Sequence, residues 1–161
     1  MGRASEVSAG LLVFRRGKAP EVLPEVFLAH PGGPFWAKKD AGAWGIPKGL
    51  IEAGADPLTT AQREFTEETG FVAQGPFIEL TAVRQKSGKL VHAFACAGDF
   101  DPARLVSNTF EIQWPPRSTR MKSFPEIDRA AWFDLATARA KIIPYQLPLL
   151  AELESKLHNQ G

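Results

Sequence analysis

Hydrophobic and polar positions along the chain alternate in short runs, interrupted by two stretches of helical period. Ser8–Arg15 (SAGLLVFR) is apolar and β-prone and predicts a first strand. Arg16-Gly17-Lys18-Ala19-Pro20 predicts a turn, and Glu25–His30 (EVFLAH) a second strand antiparallel to the first. His30 closes that strand beside Pro31-Gly32-Gly33-Pro34, a position that favours a structural histidine over a catalytic one. Further on, Phe77–Arg84 and Lys89–Ala97 predict a hairpin joined through Gln85-Lys86-Ser87-Gly88. Its second strand sends Leu90, His92, Phe94 and Cys96 to one face and Val91, Ala93 and Ala95 to the other. On that apolar face His92 reads as a core or cleft residue rather than a proton shuttle. Phe110–Trp114 predicts another strand, stopped by Pro115-Pro116, and Ala130–Asp134 the last. Leu135–Ala140 starts a short helix, and Gln146–Leu157 is amphipathic, with Leu147, Leu150, Leu153 and Leu157 at helical spacing.

The central helix is marked most clearly. Asp56 is a good N-cap, Pro57 fits the first helical position, and Gly70 supplies the stop. Leu58, Ala61 and Phe65 form an anchoring stripe. Glu64, Glu67 and Glu68 share a face of the same helix. At ~100° per residue, Glu68 lies about 40° to one side of Glu64 and Glu67 about 60° to the other. Three like charges on one face repel unless a counter-charge holds them. Either the face is solvated or it binds a hard divalent cation such as Mg2+. Arg63, four residues before Glu67, is spaced to hold that glutamate.

Two irregular segments carry candidate ligand contacts. In Pro31–Gly45, the aromatic rings Phe35, Trp36 and Trp44 either offer a platform for a nucleobase or plug the sheet edge. Lys38 and Lys39 reach phosphate or form a solvated pair. After Pro116, the cations Arg117, Arg120 and Lys122 follow in a segment without clear secondary structure, suited either to polyphosphate or to solvent. Tyr145, ahead of the last helix, is a candidate for the cleft wall.

The full chain has 161 residues, which points to one compact domain over 1–161. A net charge of +1 shows no broad footprint for duplex nucleic acid. Cys96, the lone cysteine, precludes an internal disulfide and in its apolar run reads as an inert buried thiol. No apolar run approaches the ~20 residues that span a bilayer, and no signal peptide is apparent, so the expectation is a cytoplasmic protein without membrane partners. Oligomeric state stays open between monomer and homodimer.

Gly49–Phe71 resembles the box of the Nudix hydrolase family, Gly-x5-Glu-x7-Arg-Glu-U-x-Glu-Glu-x-Gly-U, with U a bulky aliphatic residue. Gly49, Arg63, Glu64, Glu67, Glu68 and Gly70 fall in register, while Phe65 and Phe71 fill the U positions with aromatic rings. The first glutamate of the pattern is replaced by Ala55. The resemblance implies an α/β (α+β) fold, an α/β/α sandwich with a mixed sheet between the box helix and the C-terminal helix. It also implies a pyrophosphohydrolase that uses Mg2+, with Mn2+ as a substitute, to cleave a phosphoanhydride in a nucleoside diphosphate-linked substrate. Glu64, Glu67, Glu68 and the carbonyl of Gly49 would hold metal, and Arg63 would position the glutamates. The entry Trp44-Gly45-Ile46-Pro47-Lys48-Gly49 is similar to that of members acting on dinucleoside polyphosphates, with Lys48 facing phosphate. Glu126, six residues before Trp132, resembles the extra glutamate of dinucleoside tetraphosphate hydrolases; Asp128 is second to it. The base is then Glu64 or Glu126, and the substrate a nucleoside triphosphate or a dinucleotide such as Ap4A. Loss of the glutamate at Ala55 invites compensation by Glu52 or Asp56. It also leaves a nucleotide-sensing module as an alternative. An isoprenoid diphosphate isomerase is a weaker one, since it would need a reactive Cys96.

Overall fold

The computed structural model describes residues 6–17 and 23–159. Among these the strands are β1 (Val7–Arg15), β2 (Glu25–Pro31), β3 (Lys48–Leu50), β4 (Ile78–Arg84), β5 (Leu90–Ala97), β6 (Thr109–Gln113), β7 (Met121–Pro125) and β8 (Ile127–Asp134). The α-helices are α1 (Pro57–Thr69), α2 (Leu135–Lys141) and α3 (Leu147–Asn159). Part of the expected first turn, Lys18-Ala19-Pro20, lies outside the described residues.

One mixed sheet runs in the order β4-β5-β1-β2-β8, with β3 also paired to β1. β1 is parallel to β5 and antiparallel to both β2 and β3. It changes partner along its length: Ser8–Gly10 pair with Lys48–Leu50, and Val13–Arg15 with Glu25–Phe27. Gly10 makes this possible, because a Cβ there would lie 2.5 Å from the Pro47 carbonyl oxygen. That carbonyl accepts the Leu11 N–H at 3.2 Å, which fixes the chain just ahead of Gly49.

Helices cover both faces of the sheet. Leu12, Val26 and Leu28 pack with Leu135, Leu150 and Leu153 of α2 and α3. Leu11, Val13 and Phe27 pack with Ala61 and Phe65 of α1. A strand buried on both sides reads as one apolar run, as β1 does. In β5 the expected alternation holds: Val91, Ala93 and Ala95 face the C-terminal helices, while Phe94 and Cys96 face α1. α1 is capped as the sequence requires: Asp56 accepts the Thr59 N–H at 2.9 Å, and Gly70 ends the helix at φ 81°.

Three expectations need correction. The basic segment after Trp114 is a loop through Arg117 and Arg120, as expected, but Lys122 lies in strand, since Met121–Pro125 pairs antiparallel with Thr109–Gln113 as a separate two-stranded sheet. The run MKSFP hides this strand because its first three residues are exposed whichever face they point to. The last strand of the main sheet starts at Ile127 rather than Ala130, so Glu126 occupies the bend between β7 and β8. The C-terminal helix starts at Leu147, whose side chain is exposed, and Leu149 takes the expected buried place. Gln146 sets this phase: its buried carboxamide accepts the Ile46 N–H at 3.0 Å and pins the chain one residue earlier. Among the described residues, no helix is long and apolar enough to cross a membrane.

Candidate functional site

The three acids of α1 are held in different ways. Glu64 packs directly over Gly49, where a Cβ would overlap its carboxylate. Glu68 reaches the start of β3 and accepts the Lys48 N–H at 2.8 Å. Glu67 turns to Arg63, whose Nη1 donates to it at 3.0 Å and lies 3.3 Å from Glu64. Arg63 therefore bridges two of the glutamates.

Burial and mutual repulsion push the carboxyls of Glu64 and Glu68 upward. For Glu68, burial is the main cause and Glu64 and Glu126 add to it, against the opposing Lys48 N–H bond, and the result is a pKa of about 8. Glu64 is raised by burial and by Glu67, with Arg63 pulling the other way and Glu126 and Glu52 adding repulsion. Among the described residues, no three His, Cys, Asp or Glu side chains converge on one point as they stand. The donor set nevertheless suits a divalent cation: three carboxylates on one helix have a single arginine paired among them, and two of them reach Gly49 and Lys48, beside a backbone with no side chain in the way.

Glu126 is fixed by main-chain bonds rather than by its own side chain. Its N–H donates to the Asn108 carbonyl and its carbonyl accepts the Gly32 N–H, each at 2.9 Å. Asn108 in turn donates to the Glu67 carbonyl at 2.9 Å, tying this bend to α1. Asp128 faces elsewhere, 2.8 Å from Nδ1 of His30. The His30 ring is fully buried, and its Nε2–H donates to the Lys39 carbonyl at 2.6 Å. Both ring nitrogens are thus engaged in structure.

A cleft of about 290 Å3 opens beside these acids, lined by Lys48, Glu68 and Glu126 together with Trp36, Trp44 and Tyr145. Trp36 is half-buried, with the Lys39 ammonium 5.0 Å from its ring centre. Trp44 offers little to a ligand. It is 5% exposed, has the Arg129 guanidinium over its ring, and packs against His30 and Phe133. Of the two expectations for Trp44, its burial in the cleft wall accords with plugging the sheet edge. Phe35 lies outside the cleft, exposed, edge-on to Trp114. Arg117, Arg120 and Lys122 also lie outside it, on the β6–β7 hairpin. Sequence reasoning missed Gln85, which lines the cleft and donates to the Tyr145 hydroxyl at 3.2 Å, and Gln146, which donates to the same oxygen at 2.8 Å. Both sit in segments without a motif, so nothing local marked them.

Ala55 is exposed on the loop before α1. Of the two candidates to compensate for it, Asp56 is engaged as the helix cap, whereas Glu52 exerts its field on both Arg63 and Glu64. Cys96 is 1% exposed and burial pushes its thiol up to about 11, which leaves it without the thiolate an active cysteine needs.

A mixed sheet clasped between helices, with an acidic helix turned to a cleft, defines the class of this molecule. The chain belongs to the NUDIX domain family, whose model matches residues 5–153. It is 31% identical over 131 residues to an octanoyltransferase of Myxococcus xanthus, covering 81% of this chain and 31% of that protein. It is 30% identical over 118 residues to Nudix hydrolase 7 of Arabidopsis thaliana, covering 68% and 39%. The chain thus spans between 31% and 39% of the length of these two relatives. Its fold matches a C. elegans Ap4A hydrolase solved as a binary complex with a TM-score of 0.63 at 20% identity, over 96% of this chain and 98% of that one.

Proposed function

We propose that the chain is a pyrophosphohydrolase cleaving a phosphoanhydride bond in a nucleoside triphosphate or a dinucleoside polyphosphate such as Ap4A. The observation that carries this reading is the set of raised, mutually repelling carboxyls at Glu64 and Glu68, facing Glu126 at the mouth of a cleft that also presents Lys48. Glu64, Glu67, Glu68 and the Gly49 carbonyl are the groups that would hold Mg2+, with Mn2+ as a substitute. When bound, the ion supplies charge neutralisation at phosphate oxygens and a lowered pKa for water. Lys48 offers its ammonium to the phosphates. Trp36 and Tyr145 wall the side where a nucleobase would lie, with Trp44 behind them. Arg63 keeps Glu64 and Glu67 in their rotamers. A proton leaving water goes to Glu126 or Glu64, the carboxylates that share the field of the site. The lone buried thiol accords with work in the cytoplasm.

Incubating the protein with ATP, Ap4A and ADP-ribose, with and without Mg2+, tests this. Magnesium-dependent release of nucleotide products is expected, lost in Glu67→Gln. Absence of turnover on every substrate overturns it. Nucleotide binding that survives Glu67→Gln without cleavage would instead favour a sensing module.

A further inference from the structure

Three polar side chains meet at one oxygen in the cleft wall. Gln146 is 1% exposed, and its Oε1 accepts the Ile46 N–H at 3.0 Å. A backbone N–H can only donate, so this bond fixes which way the carboxamide lies. Its Nε2 is therefore turned to the Tyr145 hydroxyl, to which it donates at 2.8 Å. Gly45 leaves room for the amide: a Cβ there would stand 3.0 Å from Oε1 and 3.3 Å from Nε2. The short helical turn Pro144–Gln146 is anchored as well. Its Gln146 N–H donates to the Ile143 carbonyl at 2.9 Å, and the Ile143 N–H donates to the Trp44 carbonyl at 2.7 Å.

Gln85 reaches the same oxygen from the turn after β4. That turn is closed by its own N–H to the Lys89 carbonyl and by the Gly88 N–H to its carbonyl, each at 2.8 Å. Its Nε2 donates to the Tyr145 hydroxyl at 3.2 Å. The phenolic oxygen thus accepts from two amides, and its one hydrogen is left to donate. Among the described residues, no acceptor is bonded to that hydrogen. Turning the Gln85 amide over would only move the spare hydrogen to Gln85 itself; because Gln146 is fixed, the row still ends in a donor. Tyr145 and Gln85 both line the cleft, beside Trp36, Pro47 and Ile143. An unspent donor among rings and apolar side chains suits a flat ligand that carries an acceptor.

We infer that Tyr145 is a specificity-determining residue whose hydroxyl donates to a ring nitrogen on the base of the bound nucleotide, with Gln146 as the positioning residue that sets the direction of the bond. This rests on the nucleotide hydrolysis proposed above and adds to it the group that reads the base.

The test compares ATP with its 1-deaza, 3-deaza and 7-deaza analogues in Mg2+, which between them delete each ring acceptor of adenine in turn. In the parent protein, KM for one analogue is expected to be about tenfold above that for ATP, the order of one lost hydrogen bond, with kcat little changed. Tyr145→Phe raises KM for ATP by the same factor and treats that analogue like ATP. A merely structural role would raise KM for all four compounds alike and leave the parent's discrimination in place, which overturns the contact. Equal KM for all four in the parent, with cleavage retained, also overturns it and leaves the hydrolase reading intact. In Gln146→Glu, ionisation of the new carboxyl turns a donor into an acceptor that draws the Tyr145 hydrogen inward. Discrimination should therefore vanish in this variant as pH rises, although the hydroxyl is still there. Discrimination that follows the parent's at every pH overturns the part given to Gln146. If none of the four is cleaved, the hydrolase reading fails by itself, and titration calorimetry with the same compounds decides the contact. A penalty for one analogue that Tyr145→Phe abolishes supports it, and equal or absent binding overturns it.

Discussion

The Glu64 carboxylate fills the space that a side chain on Gly49 would occupy. α1 and the start of β3 approach so closely there that the first residue of the box motif is limited to glycine by packing. Gly49→Ala should displace Glu64 by about an ångström while leaving the buried anchors Ala61 and Phe65 in place. Misplacing a reacting group by that much costs on the order of 100-fold in rate. Magnesium-dependent turnover of ATP or Ap4A should fall by about that factor, with the far-UV spectrum retained. Turnover unchanged in the alanine variant would show that Glu64 has no role requiring this rotamer.

Glu68 makes the metal-free protein sensitive to pH. Its folded pKa of about 8 lies above its ordinary 4.5, so the folded state holds this proton more tightly than the unfolded chain. The stabilisation is complete below about pH 4.5 and is lost as pH rises through about 8. Glu64, also raised, adds to the same fall, whereas the gain from the lowered Asp40, Asp56 and Asp134 is complete once pH is above their ordinary 3.8. In EDTA, the melting temperature should therefore fall between pH 5 and pH 8, and Glu68→Gln should flatten that fall. Mg2+ at pH 8 should restore stability to the parent protein more than to the variant. A flat profile for the parent in EDTA would contradict the raised pKa.

Ala55 separates two acids that look equivalent in the sequence. Asp56 spends its carboxylate on the Thr59 N–H, so Asp56→Ala should lower the melting temperature and leave metal affinity alone. Glu52 adds negative charge felt at Arg63 and Glu64, so Glu52→Gln should weaken Mg2+ affinity, by up to about tenfold if it substitutes for the missing glutamate. Isothermal titration with Mg2+ on both variants checks this. Equal affinities for parent and Glu52→Gln would mean that nothing replaces the missing glutamate.

What was legible in the sequence follows from how locally each feature is determined. β1, β2 and β5 are buried on both faces or alternate cleanly, and α1 carries its own cap, stop and stripe, so neighbours along the chain suffice to find them. Glu64, Glu67 and Glu68 share a face because helical period dictates it. β7 was hidden because Met121, Lys122 and Ser123 are all exposed, so this ribbon strand shows no alternation of apolar and polar positions. Trp44 read as a loop aromatic, yet Arg129, His30 and Phe133, all distant in sequence from it or set by the sheet, enclose it. Gln85 and Gln146 acquire meaning only through the Tyr145 hydroxyl that they share.

His30 is the clearest case of a residue whose position in the chain suggested its role and whose partners come from elsewhere. It joins β8 through Asp128 to loop 31–39 through the Lys39 carbonyl, with no exposure to solvent. Both partners lie near the cleft: Asp128 is two residues from Glu126, and the Lys39 ammonium sits over Trp36. His30→Ala leaves a cavity and strips the Lys39 carbonyl of its donor, a loss of roughly 2–4 kcal/mol by urea unfolding. Because the loop carrying Trp36 loses its tether while Glu64 and Glu68 keep theirs, KM should rise more than kcat falls. His30→Gln, which retains one donor, should recover part of the stability and part of the KM. A variant that loses kcat alone, at unchanged stability, would assign His30 to the chemistry instead of the scaffold.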